Sequence, residues 1–143
     1  MLGDAGNSVP PQVIEIDMSI QRLSTVDFAT LENPGFRSVQ IVWPENAPEA
    51  LVTITRVTME PGSLSARHSH PNSEQIWIVE RGCATLLIDH DQTDDVQAGD
   101  VVRTPAGSIH GVNNTGHEPF VYLAVTTPPQ DFTPAYRGWQ NSN

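Results

Sequence analysis

The sequence predicts an all-β sandwich or barrel, and three observations carry that prediction. Apolar and polar residues alternate with a two-residue period in several short runs. Clusters of Gly, Pro and Asp break those runs. The 3.6-residue period of an amphipathic helix is almost absent. With 143 residues, 38% of them hydrophobic, the chain is long enough for one buried core and hardly two. Its formal net charge of −10 argues against nucleic-acid binding, because such a surface repels phosphate. The charge says nothing about the inside of a pocket. No run approaches the ~18 apolar residues of a membrane-spanning helix. Residues 1–11 lack the basic and apolar regions of a signal peptide. A cytoplasmic protein that meets no membrane is therefore expected. The lone Cys83 rules out an internal disulfide and reads as a small strand residue.

The elements follow in order. Residues 1–12, with Gly3, Gly6, Pro10 and Pro11, read as a flexible tail. Val13 to Ile16 is a candidate edge strand. Ser24 is a candidate cap for one helical turn running to Phe28. Phe36 to Trp43 reads as a strand stopped by Pro44. Leu51 to Met59 alternates cleanly and ends at the turn Glu60-Pro61-Gly62. Strands are predicted from Gln75 to Glu80 and from Thr85 to Ile88, followed by an acidic hairpin tip from Asp89 to Asp95. Val101 to Thr104, Ile109 to Asn113 and Phe120 to Val125 complete the sheet. Pro128 and Pro129 end it, and the remaining tail is expected to pack outside through Phe132, Tyr136 and Trp139.

Two segments carry the chemistry. The first holds Gly62, His68, His70, Glu74-Gln75 and Gly82; the second holds Gly99, Pro105, Gly107, His110 and Asn114. His-x-His has the period of a strand, on which alternate side chains share a face. Two imidazoles so placed can converge on one ion at ~2.1 Å, and a histidine from a distant strand can complete the set.

These segments resemble the two motifs of the cupin superfamily. The first cupin motif is G-x5-H-x-H-x(3,4)-E-x6-G, and Gly62 to His70 matches its first half without a gap. The second is G-x5-P-x-G-x2-H-x3-N, which Gly99, Pro105, Gly107, His110 and Asn114 match at every spacing. Sixteen residues separate Gly82 from Gly99, close to the short connection typical of bacterial cupins. The resemblance implies a double-stranded β-helix, or jelly-roll barrel, as one domain over 13–143 with its motifs at 62–82 and 99–114. It also implies one divalent transition-metal ion (zinc, manganese, nickel or iron). A homodimer is expected too, since cupin barrels commonly pair their sheets and the edge at 13–16 needs cover.

One position departs from the motif. Gln75, with six residues between it and Gly82, stands where cupins usually carry a glutamate ligand, and Glu74 sits one residue early. A one-residue shift on a strand turns a side chain to the opposite face. Either the Gln75 amide oxygen is the fourth ligand, or a bulge turns Glu74 inward; the downstream spacing favours Gln75. A set of His68, His70, His110 and Gln75 is neutral, so an ion there keeps its full charge. That suits Lewis-acid work on a carbonyl or carboxylate. KdgF-like sugar isomerases are similar in having this glutamine and a similar string, His-Pro-Asn-Ser-Glu-Gln. Their last strand reads Asp-x-Phe-x-x-x-Arg, which corresponds here to Ala124, Thr126 and Gln130; the acid/base carboxylate and the sugar-acid arginine are both absent, so the uronate substrate is not carried over.

Other residues have plainer readings beside functional ones. Trp77 shares strand parity with Gln75 and either lines the pocket or packs the barrel. Asn114 is a second pocket candidate. Arg103 either faces in to hold an anion or faces out as an edge residue. Tyr122 and Arg103 are the candidates for proton transfer. Asp89, His90, Asp91, Asp94 and Asp95 read as a solvated acidic turn rather than a metal cluster, and His117 as an exposed loop residue. The expected ligand is a small polar or carboxylate-bearing molecule. Three functions are consistent with this: a Lewis-acid isomerase, cyclase or lyase; an iron-dependent dioxygenase; and a non-catalytic ligand-binding cupin. A pocket with no titratable group beyond the metal ligands favours the last.

Overall fold

The computed structural model describes residues 19–136. The tail at 1–12, the edge strand at Val13 to Ile16 and Trp139 lie outside the described residues. Ten strands form two antiparallel sheets, and the only helical pieces among the described residues are one 3-10 turn and a turn beginning at residue 133. Strands β1 (Ala29–Asn33), β2 (Phe36–Val42), β3 (Thr53–Met59), β10 (Phe120–Thr127), β5 (Glu74–Arg81) and β8 (Val101–Thr104) build a six-stranded sheet in the order β1-β2-β3-β10-β5-β8. Strands β4 (Leu64–His68), β9 (His110–Asn113), β6 (Cys83–Ile88) and β7 (Thr93–Gln97) build a four-stranded sheet in the order β4-β9-β6-β7. The chain crosses repeatedly between sheets, which is the jelly-roll arrangement.

The alternation that predicted β3 and β10 is fully realised. Every second residue of each is buried, from Thr53 to Met59 and from Phe120 to Thr126. Ser24 opens the 3-10 turn Thr25–Asp27, its backbone N–H donating to the Asp27 carboxylate at 2.9 Å. Strands β1, β4 and β7 have no counterpart in the sequence-based element reading. In β7 only Val96 is buried, so no alternation marks it; pairing with β6 makes it a strand. The acidic tip is correspondingly shorter than predicted. His90 and Asp91, both with φ near +60°, sit at the centre of the four-residue connection from Asp89 to Gln92, and Asp94 and Asp95 belong to β7.

The apolar core gathers Val57, Met59, Trp77, Val79, Ala84, Val96, Val112, Phe120, Tyr122 and Ala124 from both sheets. Beside it runs a buried polar row. Thr53, Thr126, Gln75 and Thr104 are successive register partners across β3, β10, β5 and β8. Gln75 Nε2 donates to Thr126 Oγ1 at 3.0 Å, and Thr104 Oγ1 donates to the Gln75 carbonyl at 3.0 Å. Two glycines let the sheets close. A Cβ on Gly82 would lie 2.5 Å from the Pro119 carbonyl oxygen. One on Gly111, next to His110, would lie 2.6 Å from that of Ser65.

Candidate metal centre

His68 and His70 line a cavity between the sheets, and the His110 ring packs against both of them. His68 is the last residue of β4 and faces His110, the first residue of β9, as its register partner. His70 lies two residues beyond β4 in an irregular segment, so His-x-His here straddles a strand end rather than lying within a strand. The ring centroids are 4.6 Å (His68–His110), 5.0 Å (His68–His70) and 5.2 Å (His70–His110) apart. One ligand nitrogen from each lies within 4.8 Å of the others, close enough for one ion to reach all three with side-chain rotation.

Backbone carbonyls set two of the rings. His68 Nδ1 lies 2.7 Å from the Ala66 oxygen, and His110 Nδ1 lies 3.1 Å from the Ser108 oxygen. A carbonyl only accepts, so each Nδ1 carries the proton and each Nε2 keeps a lone pair. His110 is 3% exposed, and its Nε2 is buried with no hydrogen-bond partner. A buried acceptor left without a donor is unfavourable unless something electropositive meets it. Burial, with the neighbouring His68 second, lowers the His70 pKa to about 4. Burial and then His68 also lower that of His110 to about 4, against the opposing Ser108 hydrogen bond. Both rings are neutral at pH 7, as ligands must be. The donor set fits a divalent transition ion.

Of the fourth-position candidates, Gln75 faces inward. It is 6% exposed and lines the cavity with His68 and His70. Its amide oxygen accepts the Trp77 indole N–H at 2.6 Å. Glu74 lies on the outer face of β5, with its carboxylate ion-paired to Arg103. The register of β5 with β10 is regular at both residues, so no bulge turns Glu74 inward. The same ion pair holds Arg103 outside, away from the cavity.

Trp77 is 2% exposed, stacks on Tyr122 at 4.5 Å and meets the His110 ring edge-on at 5.8 Å. It both lines the cavity and packs the core, which joins its two sequence readings. Tyr122 also lines the cavity, and burial pushes its phenol far above the usual range, so it stays protonated. Asn114 does not line the cavity. Its Nδ2 donates to the Met59 and Glu118 carbonyls, and its Oδ1 accepts from the Gly116 N–H. It braces the loop after β9 instead. Asp89, His90, Asp91, Asp94, Asp95 and His117 are all exposed.

The C-terminal segment corrects another expectation. Phe132 and Tyr136 do not pack outside; both line the cavity, Phe132 edge-on to His70 at 5.9 Å. The segment is tied down where Gln130 N–H donates to Thr53 Oγ1 at 2.8 Å and Ser73 Oγ donates to the Pro128 carbonyl at 2.9 Å. Ser38 and Thr55 line the cavity too. Sequence reasoning did not single them out, because strand alternation alone does not say which face is buried. The available signal was β2 itself, where Ser38 and Gln40 alternate with Val39 and Ile41 and the polar set is the buried one.

Comparison with known proteins agrees with this architecture. The cupin domain model matches residues 55–126, half of the chain, and the chain belongs to the cupin family. It is similar to oxalate decarboxylase OxdC of Bacillus subtilis, 37% identical over 73 residues, covering 48% of this chain and 19% of OxdC. It is also similar to an oxalate-binding protein of Thermotoga maritima, 35% identical over 72 residues, covering 49% of this chain and 57% of that protein. The chain thus matches less than two thirds of the length of either relative. Among solved structures, KdgF from Halomonas sp. superposes with a TM-score of 0.67 at 16% identity, over 79% of this chain and 97% of that one. That likeness is one of fold. No helix among the described residues is long and apolar enough to cross a membrane.

Proposed function

We propose that this cupin holds one divalent ion on His68, His70 and His110, with Gln75 at the fourth position, and uses it to bind a small carboxylate-bearing molecule. The observation that carries the reading is the buried Nε2 of His110, which has no partner and belongs to a ring whose other nitrogen is held by Ser108. When bound, the ion supplies a Lewis acid that polarises the ligand's carboxylate or carbonyl. The residues do the rest. The Ala66 and Ser108 carbonyls hold two ring tautomers, and Trp77 fixes the Gln75 amide through its indole N–H. Phe132 lies against His70 and shields that side from water. Three imidazoles and an amide carry no negative charge, and no Asp or Glu lines the cavity among the described residues. That favours an anionic ligand and non-redox isomerase, cyclase or lyase chemistry. The names of the two curated relatives, an oxalate decarboxylase and an oxalate-binding protein, support a carboxylate as ligand class.

One observation favours a second reading, a binding protein without catalysis. Among the described residues, apart from the histidines and Arg67, the only titratable groups lining the cavity are Tyr122 and Tyr136, and burial raises the pKa of both. Neither makes a ready general base at pH 7. The test is to strip the protein, reload it with zinc, manganese, nickel or iron, and follow carboxylate binding by calorimetry and turnover with and without oxygen. Stoichiometric metal and metal-dependent carboxylate binding are expected. Binding without turnover selects the second reading. Turnover only with iron, matched by oxygen uptake, overturns both in favour of a dioxygenase. The chain is further proposed to be a homodimer, which light scattering at micromolar concentration checks.

A further inference from the structure

The cavity is larger and differently lined than a short di-acid needs. It measures about 470 Å³, room for roughly fifteen waters at ~30 Å³ each. Its walls are aromatic: Phe36, Trp77, Tyr122, Phe132 and Tyr136 all face it. Among the described residues no lining carboxylate offers a partner to an amine. Arg67 is, among the described residues, the one lining cation, and its guanidinium is turned away, donating to the Ile88 carbonyl at 2.7 Å and the Gln92 carbonyl at 3.2 Å. A second ligand charge beyond reach of the ion would therefore be buried without a partner, which is strongly unfavourable.

The far end is polar but uncharged. The fully buried Gln40 donates through Nε2 to Ser38 Oγ at 2.9 Å, and Ser38 and Tyr136 both line this part of the cavity. Thr55 adds a hydroxyl beside them. Ser38 stands on β2, three strands from the β5 that carries Gln75 and Trp77. At ~4.8 Å per strand the two backbones lie about 14 Å apart. Aromatic side chains line the space between the Gln75 side of the cavity and the hydroxyl end.

Resting on the metal reading above, we propose that the cavity selects a monocarboxylate with a flat ring body and an uncharged hydroxyl or amide at its far end, in preference to short or long di-acids. The carboxylate meets the ion, the ring lies between the aromatic walls, and Tyr136 and Ser38 take the far group.

The experiment is calorimetry on the metal-loaded full chain with 4-hydroxybenzoate, benzoate, terephthalate and oxalate, with metal content measured on the same samples. We expect 4-hydroxybenzoate to bind about tenfold tighter than benzoate, the worth of one well-placed hydrogen bond. Terephthalate, with its unpartnered second charge, should be weakest of the ring acids. Tyr136→Phe and Ser38→Ala should each shrink the ratio of 4-hydroxybenzoate to benzoate affinity towards one. Ser38 is buried and its variant is the more prone to misfold, so Tyr136→Phe decides if Ser38→Ala does not fold. Oxalate or terephthalate binding as tightly as 4-hydroxybenzoate, or an unchanged ratio in Tyr136→Phe, would overturn the inference while stoichiometric metal left the metal reading standing. Wild-type protein that retains no metal overturns both.

Discussion

The two ends of the cavity are built by different means. At the histidine end, His68 and His110 are register partners on neighbouring strands, and backbone carbonyls two residues upstream hold their rings. Everything needed lies within short stretches of chain. At the far end, Ser38 from β2, Thr55 from β3 and Tyr136 from beyond β10 meet although they are far apart in sequence. The first end is made rigid by local backbone geometry, and the second depends on where a C-terminal segment is strapped.

The largest effect should come from the histidine end. His110→Ala removes the buried Nε2 and one of three imidazoles, and should lower metal affinity more than 100-fold, beyond the 10–100-fold typical of outer partners. Metal analysis after dialysis checks it; full occupancy would break the comparison.

Protonation probes the same end. In the metal-stripped protein His70 and His110 titrate near pH 4, below the 6.5 of an unfolded chain. Between those values the unfolded chain takes up more protons. Stability should therefore be full above pH 6.5, fall as pH drops, and lose this contribution once pH passes about 4. Urea unfolding across that range measures it, and a flat profile would contradict the neutral imidazoles.

Gly111→Ala tests how closely the sheets approach beside the site. The new Cβ would press on backbone atoms of Ser65, Ala66 and Arg67, with no flexible side chain to yield. A loss of about 1–3 kcal/mol is expected from overpacking, with weaker metal retention because His110 shifts with its neighbour. Unfolding and metal titrations on one sample read both.

The smallest effect should come from the outer face of β5. Glu74→Gln breaks an exposed ion pair with Arg103, worth about 0–1 kcal/mol, and should leave metal content unchanged. A large loss of metal would bring Glu74 back as a ligand.

Much of the histidine end was legible in the sequence. The spacings Gly62–His68–His70 and Gly99–Pro105–Gly107–His110 survive as turns and strand ends because such turns impose local geometry that few sequences satisfy. The inward parity of Gln75 was legible too, since a strand's period is two. Strands β1 and β7 were not: they carry few apolar residues, and pairing with a neighbour rather than intrinsic pattern makes them strands. Asn114 matched its motif, yet its amide braces backbone, because a spacing fixes a position without saying which way the side chain turns.

By itself the sequence determined the all-β class, the order of the main strands, and the three histidines that gather at one point. These depend on alternation, turn chemistry and short-range spacing. The tertiary structure alone decided that Glu74 and Arg103 neutralise each other outside, that Phe132 and Tyr136 turn inward, and that Ser38 and Thr55 face a cavity instead of solvent. Those outcomes depend on contacts between segments far apart in the chain. Periodicity shows which residues share a face, but only packing between sheets decides which face is buried and what it meets there.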